Sequence, residues 1–139
     1  MAIGVDACIY WTPILWLERL LEQARAAEVS RFLADVPESE LAITDFAFHS
    51  IGVIMLKLGK PEALVSFADD LFGEGDVTLI SLEPHDTRSI ADTAKNYRLD
   101  FDDAYQYTAA EKYGLELVSY DASFDRTPLR RKTPGDVVR

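Results

Sequence analysis

The sequence predicts an α/β domain built on a mainly parallel sheet. Short apolar runs compatible with β-strands alternate with stretches of helical periodicity from one end of the chain to the other. Strands separated in this way need crossover connections, and parallel pairing is the arrangement that uses them. With 139 residues and 48% hydrophobic content, the chain has enough material for one sizeable core and too little for two domains, so residues 1–139 are expected to fold as one unit.

Ala2–Val5 is short, apolar and ends at Asp6, which reads as a first strand. Thr12-Pro13 follows as an N-cap with proline at the first helical position. From Ile14 to Ala27 the residues Ile14, Leu17, Leu20, Leu21 and Ala24 keep helical spacing, so this stretch is an amphipathic helix. Val29–Val36 adds a short helix, and Pro37-Glu38-Ser39 marks a connection. Leu41–Ile43 is a short strand. Thr44 or Asp45 then caps a helix that runs through Phe48, Ile51, Met55 and Leu58 to a stop at Gly59.

Pro61 opens a further helix carrying Leu64, Phe67, Ala68 and Leu71, which ends near Gly73–Gly75. Val77–Ile80 is a strand, and Glu83-Pro84 begins a helix that reaches Tyr97 with Ile90, Ala91 and Ala94 on one face. Asp102 and Asp103 precede a helix over Ala104–Tyr113 that Gly114 stops. Leu115–Tyr120 is a strand and Asp121-Ala122-Ser123 a turn. Thr133-Pro134-Gly135 then turns the chain into a last short strand at Val137–Val138.

No apolar stretch approaches the roughly 20 residues that cross a bilayer. The N-terminus has no basic segment and meets an acid at Asp6, so a cytoplasmic protein without a secretory signal is expected. The single cysteine, Cys8, has no internal disulfide partner and reads as a small core residue. A net charge of −10 argues against a surface that coats nucleic acid broadly, though not against chemistry on nucleic acid at one site. Five of the 14 basic residues (Arg126, Arg130, Arg131, Lys132 and Arg139) crowd the last 14 positions beside one acid, Asp136. That local reversal is either a phosphate contact or a solvated tail.

Four aspartates stand where apolar runs stop: Asp6, Asp103, Asp121 and Asp125. A carboxylate at the end of a buried strand is costly without compensation, and a divalent cation is a common compensation. In open parallel sheets ligands gather at the carboxyl ends of the strands, so these acids read as one pocket assembled by the fold.

In these residues the chain resembles the PIN domains, and within them the VapC-type ribonuclease toxins. The resemblance rests on IGVDACIY and on LDFDDAYQYTAAEKYGLELVSYDASFD. In the second motif Asp103-Ala104, Ala109-Ala110, Gly114, Leu117-Val118-Ser119-Tyr120-Asp121 and Phe124 fall at the family's spacing. It implies a three-layer α/β/α sandwich and an endoribonuclease dependent on Mg²⁺ or Mn²⁺. Asp6, Asp103 and Asp121 carry over as the catalytic metal-site carboxylates, with Asp125 beside them. It also implies RNA as substrate, and Arg126, Arg130 and Arg131 of the basic stretch are then the candidates for contacts with its backbone. A homodimer and an antitoxin protein partner are expected, and a membrane association is not. The chemistry is coherent: hard divalent cations take oxygen ligands, activate a bound water and neutralise charge on a phosphate.

One position departs from the family. It usually carries a Glu early in its second major helix; here the segment reads AITDFAFHSIGV and Ser50 takes that place, with His49 beside it. Asp45 and His49 share a helix face, so both are accessory candidates. His49 is either an outer group or proton carrier near neutral pH, or a structural residue or substrate contact. Ser119 lies on the same side of its strand as Asp121. Its hydroxyl serves a metal-bound water or phosphate, or is simply a satisfied strand-end group. Two classes of function therefore stand: a metal-dependent endoribonuclease acting as the toxin of a toxin–antitoxin pair, and a PIN-fold binding or scaffold protein weakened or inactivated by the missing Glu. A phosphotransfer receiver needs paired acids after its first strand, whereas Ala7 follows Asp6.

Overall fold

The computed structural model describes residues 9–11, 37–73, 76–119, 122–129 and 131–133. The expected strand Ala2–Val5, the helices over 14–27 and 29–36, and the strand Val137–Val138 lie outside them. Five strands form one sheet: β1 (Ile9–Trp11), β2 (Leu41–Thr44), β3 (Thr78–Ile80), β4 (Glu116–Val118) and β5 (Arg131–Lys132). Their spatial order is β3-β2-β1-β4-β5 and every neighbouring pair is parallel. The described helices are α1 (Asp45–Lys57), α2 (Pro61–Ala68), α3 (Thr87–Tyr97) and α4 (Phe101–Tyr113).

β2 is buried at all four positions, as a continuous apolar run inside a parallel sheet should be. Its residues alternate between two cores. Ala42 packs with Ile90, Leu99, Tyr107 and Leu117, in a cluster that draws on α3, α4 and β4. Leu41 and Ile43 face the other way. The crossover from β2 to β3 moves outward through α1 and α2, while that from β3 to β4 returns through α3 and α4. Right-handed connections running in opposite directions place their helices on opposite faces. The result is the predicted three-layer α/β/α arrangement.

Helix ends follow local chemistry. The Thr44 hydroxyl accepts from the Ala47 amide at 2.9 Å, which settles the cap of α1 on Thr44 and leaves Asp45 in the first turn. Gly114 closes α4 in the left-handed region, with φ of 68°, where its amide reaches the carbonyls of Ala110 and Glu111. α4 is buried at seven successive positions from Ala104 to Ala110, so it is a central helix. Its small residues Ala104, Ala109 and Ala110 lie in the core cluster with Ile90 of α3 and Leu117 of β4.

Several boundaries differ from the sequence expectation. α4 starts at Phe101, before Ala104, because Asp100 is the cap: its carboxylate accepts from the Asp103 amide at 2.8 Å. The helix expected from Glu83 is a 3-10 turn, Pro84–Asp86, followed by α3. A π-helical turn, Asp69–Gly73, continues α2 and buries Leu71. β4 is shorter than Leu115–Tyr120, and the basic tail contributes β5, which the sequence did not suggest. A two-residue edge strand of charged residues has no apolar period to detect, and charge is what such an edge carries to discourage further pairing.

Asp86 ties the second crossover together. Its carboxylate accepts from the Glu83 amide at 2.8 Å and the Lys112 ammonium at 2.9 Å, and these two contacts hold its carboxyl below the ordinary value. Asp86→Ala should therefore cost about 1–2 kcal/mol in urea unfolding at pH 7. A group whose folded pKa is depressed stabilises fully above its unfolded value, about 3.9, and loses that contribution as pH falls through the lower folded value. The gap between wild type and variant should close as acid is added below that point. A gap that persists unchanged in acid would assign the effect to packing.

Candidate active site

Strand order reverses around β1, with β2 on one side and β4 on the other. The crevice outside the carboxyl ends of the strands at such a reversal is where open α/β sheets bind ligands. Three segments of described chain converge on that edge. β2 ends there in Thr44 and passes directly into α1, placing Asp45 at the rim. β4 ends there at Val118, with Ser119 next and wholly buried. α4 feeds β4 through Gly114, so it runs against the strands and its first turn, with Asp100, Asp102 and Asp103, lies at the same edge.

The first turns of α1 and α4 are packed against each other. The Phe46 ring lies 5.2 Å from that of Tyr105 and 6.0 Å from that of Phe101, centroid to centroid. The Tyr105 hydroxyl donates to Asp45 Oδ1 at 2.8 Å and accepts from the Leu82 amide at 3.0 Å. Burial, opposed in part by the Leu82 amide, pushes the Tyr105 phenol up to about 12. The hydroxyl proton is therefore retained across the working pH range. Asp45 Oδ1 also accepts from the Phe46 amide at 2.8 Å. Both helices point their amino ends at this edge, and the partial positive charge there favours carboxylates.

Of the sequence-derived site residues, Asp103 is half-buried and Asp45 exposed, in the adjoining first turns just described. Asp121 lies outside the described residues and follows Ser119 by two positions in the chain. Asp6 also lies outside them. The strand that pairs with β2 and β4 begins at Ile9, so Asp6 precedes that strand in the chain, and the residue following it is Thr12. His49 is exposed one turn beyond Asp45, and Ser50 is half-buried. The Ser119 amide donates to the Lys132 carbonyl at 2.8 Å, fastening the end of β4 to β5.

The basic candidates are engaged by protein acceptors. Arg131 donates through Nε to Asp125 Oδ1 at 3.1 Å and through Nη1 to the Ser119 carbonyl at 3.3 Å. Asp125 thus carries an ion pair in this structure. Arg126 Nη2 donates to the Arg98 carbonyl at 3.1 Å, where Arg98 ends α3 with φ of 55°. Lys132 pairs with Glu116 at 2.9 Å, and Arg130 lies outside the described residues.

Among the described residues no three His, Cys, Asp or Glu side chains gather into a cation site. The acids that do meet this edge offer only carboxylate oxygens, a donor set suited to a hard divalent ion. Such an ion needs as few as one or two protein carboxylates and otherwise keeps its waters. Tyr105 is the site residue that sequence reasoning passed over. Its signal was a phenol two places after Asp103 in a helix without a polar face, since a buried hydroxyl of that kind finds a partner.

A family model, the PIN domain, matches residues 14–129. The match contains all of LDFDDAYQYTAAEKYGLELVSYDASFD and begins after IGVDACIY. A search of the curated proteins returns no match. Among solved structures, a chain of a toxin–antitoxin complex from Klebsiella pneumoniae superposes with a TM-score of 0.72 at 19% identity, over 91% of this chain and 97% of that one. The protein PAE2754 from Pyrobaculum aerophilum superposes with a TM-score of 0.67 at 20% identity, over 97% and 96% of the two chains. At these identities the likeness establishes the fold. Among the described residues no helix is long and apolar enough to cross a membrane.

Proposed function

The chain belongs to the PIN domain family, and from that premise we propose that it is a metal-dependent endoribonuclease that hydrolyses RNA phosphodiester bonds. The observation that supports the reading is the packing of the first turn of α1, which bears Asp45, against the start of α4, which bears Asp103, at the carboxyl edge of the sheet beside its reversal point. Asp103 and Asp121 would hold the cation, Mg²⁺ or Mn²⁺, with Asp45 completing the acidic edge and Asp6 a further candidate. A divalent ion held there would supply an activated water and offset charge on the phosphate. The two helix amino ends offset the mutual repulsion of the acids while the site is being filled. Ser119 and the Arg131–Asp125 pair fix the end of β4, from which Asp121 follows.

The similarity to a chain from a toxin–antitoxin complex supports the toxin role with an antitoxin as protein partner, and we propose a homodimer as the working form. A second reading, a binding or scaffold protein of the same fold, is favoured by Ser50 and the exposed His49 standing where the family's Glu is expected.

The two readings separate on purified protein. Single-stranded RNA incubated with Mn²⁺ should be cleaved internally, and EDTA should stop the reaction. Calorimetric titration should register binding of Mn²⁺ or Mg²⁺. Intact RNA together with no heat of binding at millimolar metal would establish the scaffold in place of the nuclease.

A further inference from the structure

We propose that Tyr105 is a positioning residue for the active site, whose phenol locks the Asp45 carboxylate in the orientation used toward the metal and its waters. The inference rests on the nuclease reading and extends it to a side chain outside the expected carboxylate set. Asp45 Oδ1 receives two hydrogen bonds, from the Tyr105 hydroxyl and the Phe46 amide, both at 2.8 Å. Among the described residues Oδ2 accepts none, so one oxygen fixes the plane of the carboxylate and the other keeps its lone pairs for a cation or water. Asp45 is exposed and in a first helical turn, where an unrestrained carboxylate would sample several rotamers.

The phenol is itself immobilised. Tyr105 is 9% exposed, and its ring packs with those of Phe46 and Phe101 in a three-ring cluster, at 5.2 and 6.2 Å between centroids. Its oxygen accepts from the Leu82 amide at 3.0 Å, in the loop after β3. One hydroxyl thus joins α1, α4 and that loop. Tyr105 and Asp103, two residues apart on α4, point to different faces, so the bond ties α4 to the turn bearing Asp45 without itself orienting Asp103. Groups that orient a ligand from behind in this way commonly change metal affinity by about 10–100-fold when removed.

The test is Tyr105→Phe, which keeps the ring and deletes the oxygen, measured by Mn²⁺ calorimetry and by RNA cleavage across a Mn²⁺ series. The expected result is Mn²⁺ binding weakened by about tenfold, with half-maximal cleavage moved to correspondingly higher metal. Tm should stay within about 8 °C of wild type, the scale of one lost hydrogen bond in a domain of this size. Asp45→Ala, at an exposed position, should show the same loss of metal affinity, and the double variant should be no weaker than Asp45→Ala alone.

Wild-type affinity in Tyr105→Phe overturns the proposal and leaves the nuclease reading standing. The same holds for wild-type affinity in Asp45→Ala, which decides the matter if Tyr105→Phe does not fold. A wild-type protein that neither binds Mn²⁺ nor cleaves RNA overturns both.

Discussion

Asp103→Asn should lower RNA cleavage by at least about 100-fold while leaving the fold intact, since a hard cation holds a neutral amide far less well than a carboxylate. The structure separates the two roles an acid can have at this place. Capping α4 falls to Asp100, which accepts from the Asp103 amide, so the Asp103 carboxylate is not what starts the helix. The Asn substitution keeps shape and backbone contacts, and circular dichroism with a thermal melt should match wild type. Asp102→Asn is the control. It removes one charge from the same turn at an exposed position, and cleavage should stay within about threefold of wild type, the scale of a screened surface charge. Equal losses in both variants would assign the effect to net charge in place of ligation.

Asp6→Asn, run alongside, distinguishes two carboxylate sets. Loss of cleavage places Asp6 with Asp103, and retention leaves the set as Asp45, Asp103 and Asp121.

The parts of the fold that could be read from the sequence are those with a local cause. Leu41–Ile43 is apolar because β2 is buried on both faces, and Thr44 and Gly59 bracket α1 through their own side-chain and backbone chemistry. The acid-bearing first turn of α4 was legible as a site, yet the start of its helix falls at Phe101, three residues before the expected Ala104. Asp100, Asp102 and Asp103 are chemically alike, and only the three-dimensional start of the helix selects among them. β5 and the partner of Arg126 were not legible, because each joins separated parts of the chain: Arg126 to Arg98, and β5 to β4. The clustering of basic residues was a true compositional signal. Pairing with Asp125, Glu116 and two backbone carbonyls accounts for Arg126, Arg131 and Lys132 within the protein itself. The Tyr105 clamp escaped for the same reason, since Asp45 lies sixty residues earlier in the chain.

Phe124→Ala should give the largest loss of stability, about 3–5 kcal/mol, read as a fall in Tm of about 10–20 °C. Phe124 is 1% exposed and packs into the cluster that contains Leu99, Tyr107 and Leu117. Its own segment is held besides by the Arg131–Asp125 pair and by the Arg126 bond to the Arg98 carbonyl, both at exposed positions. The 3-10 turn Ala122–Arg126 is one short element, and Thr127 satisfies the Phe124 carbonyl through its amide at 3.1 Å and its hydroxyl at 2.6 Å. Removing the ring leaves a cavity between this turn and the core cluster, and the surrounding structure relaxes only partly into such a cavity. The consequence reaches the active site, because Phe124 lies between Asp121 and the Arg131-paired Asp125 in the chain. Cleavage by Phe124→Ala should therefore fall even at temperatures well below its Tm, where nearly all molecules are folded. Phe124→Leu, which refills most of the volume, should recover most of both losses. Full activity in a strongly destabilised Phe124→Ala would mean that this aromatic anchor supports the core without positioning the Asp121 segment.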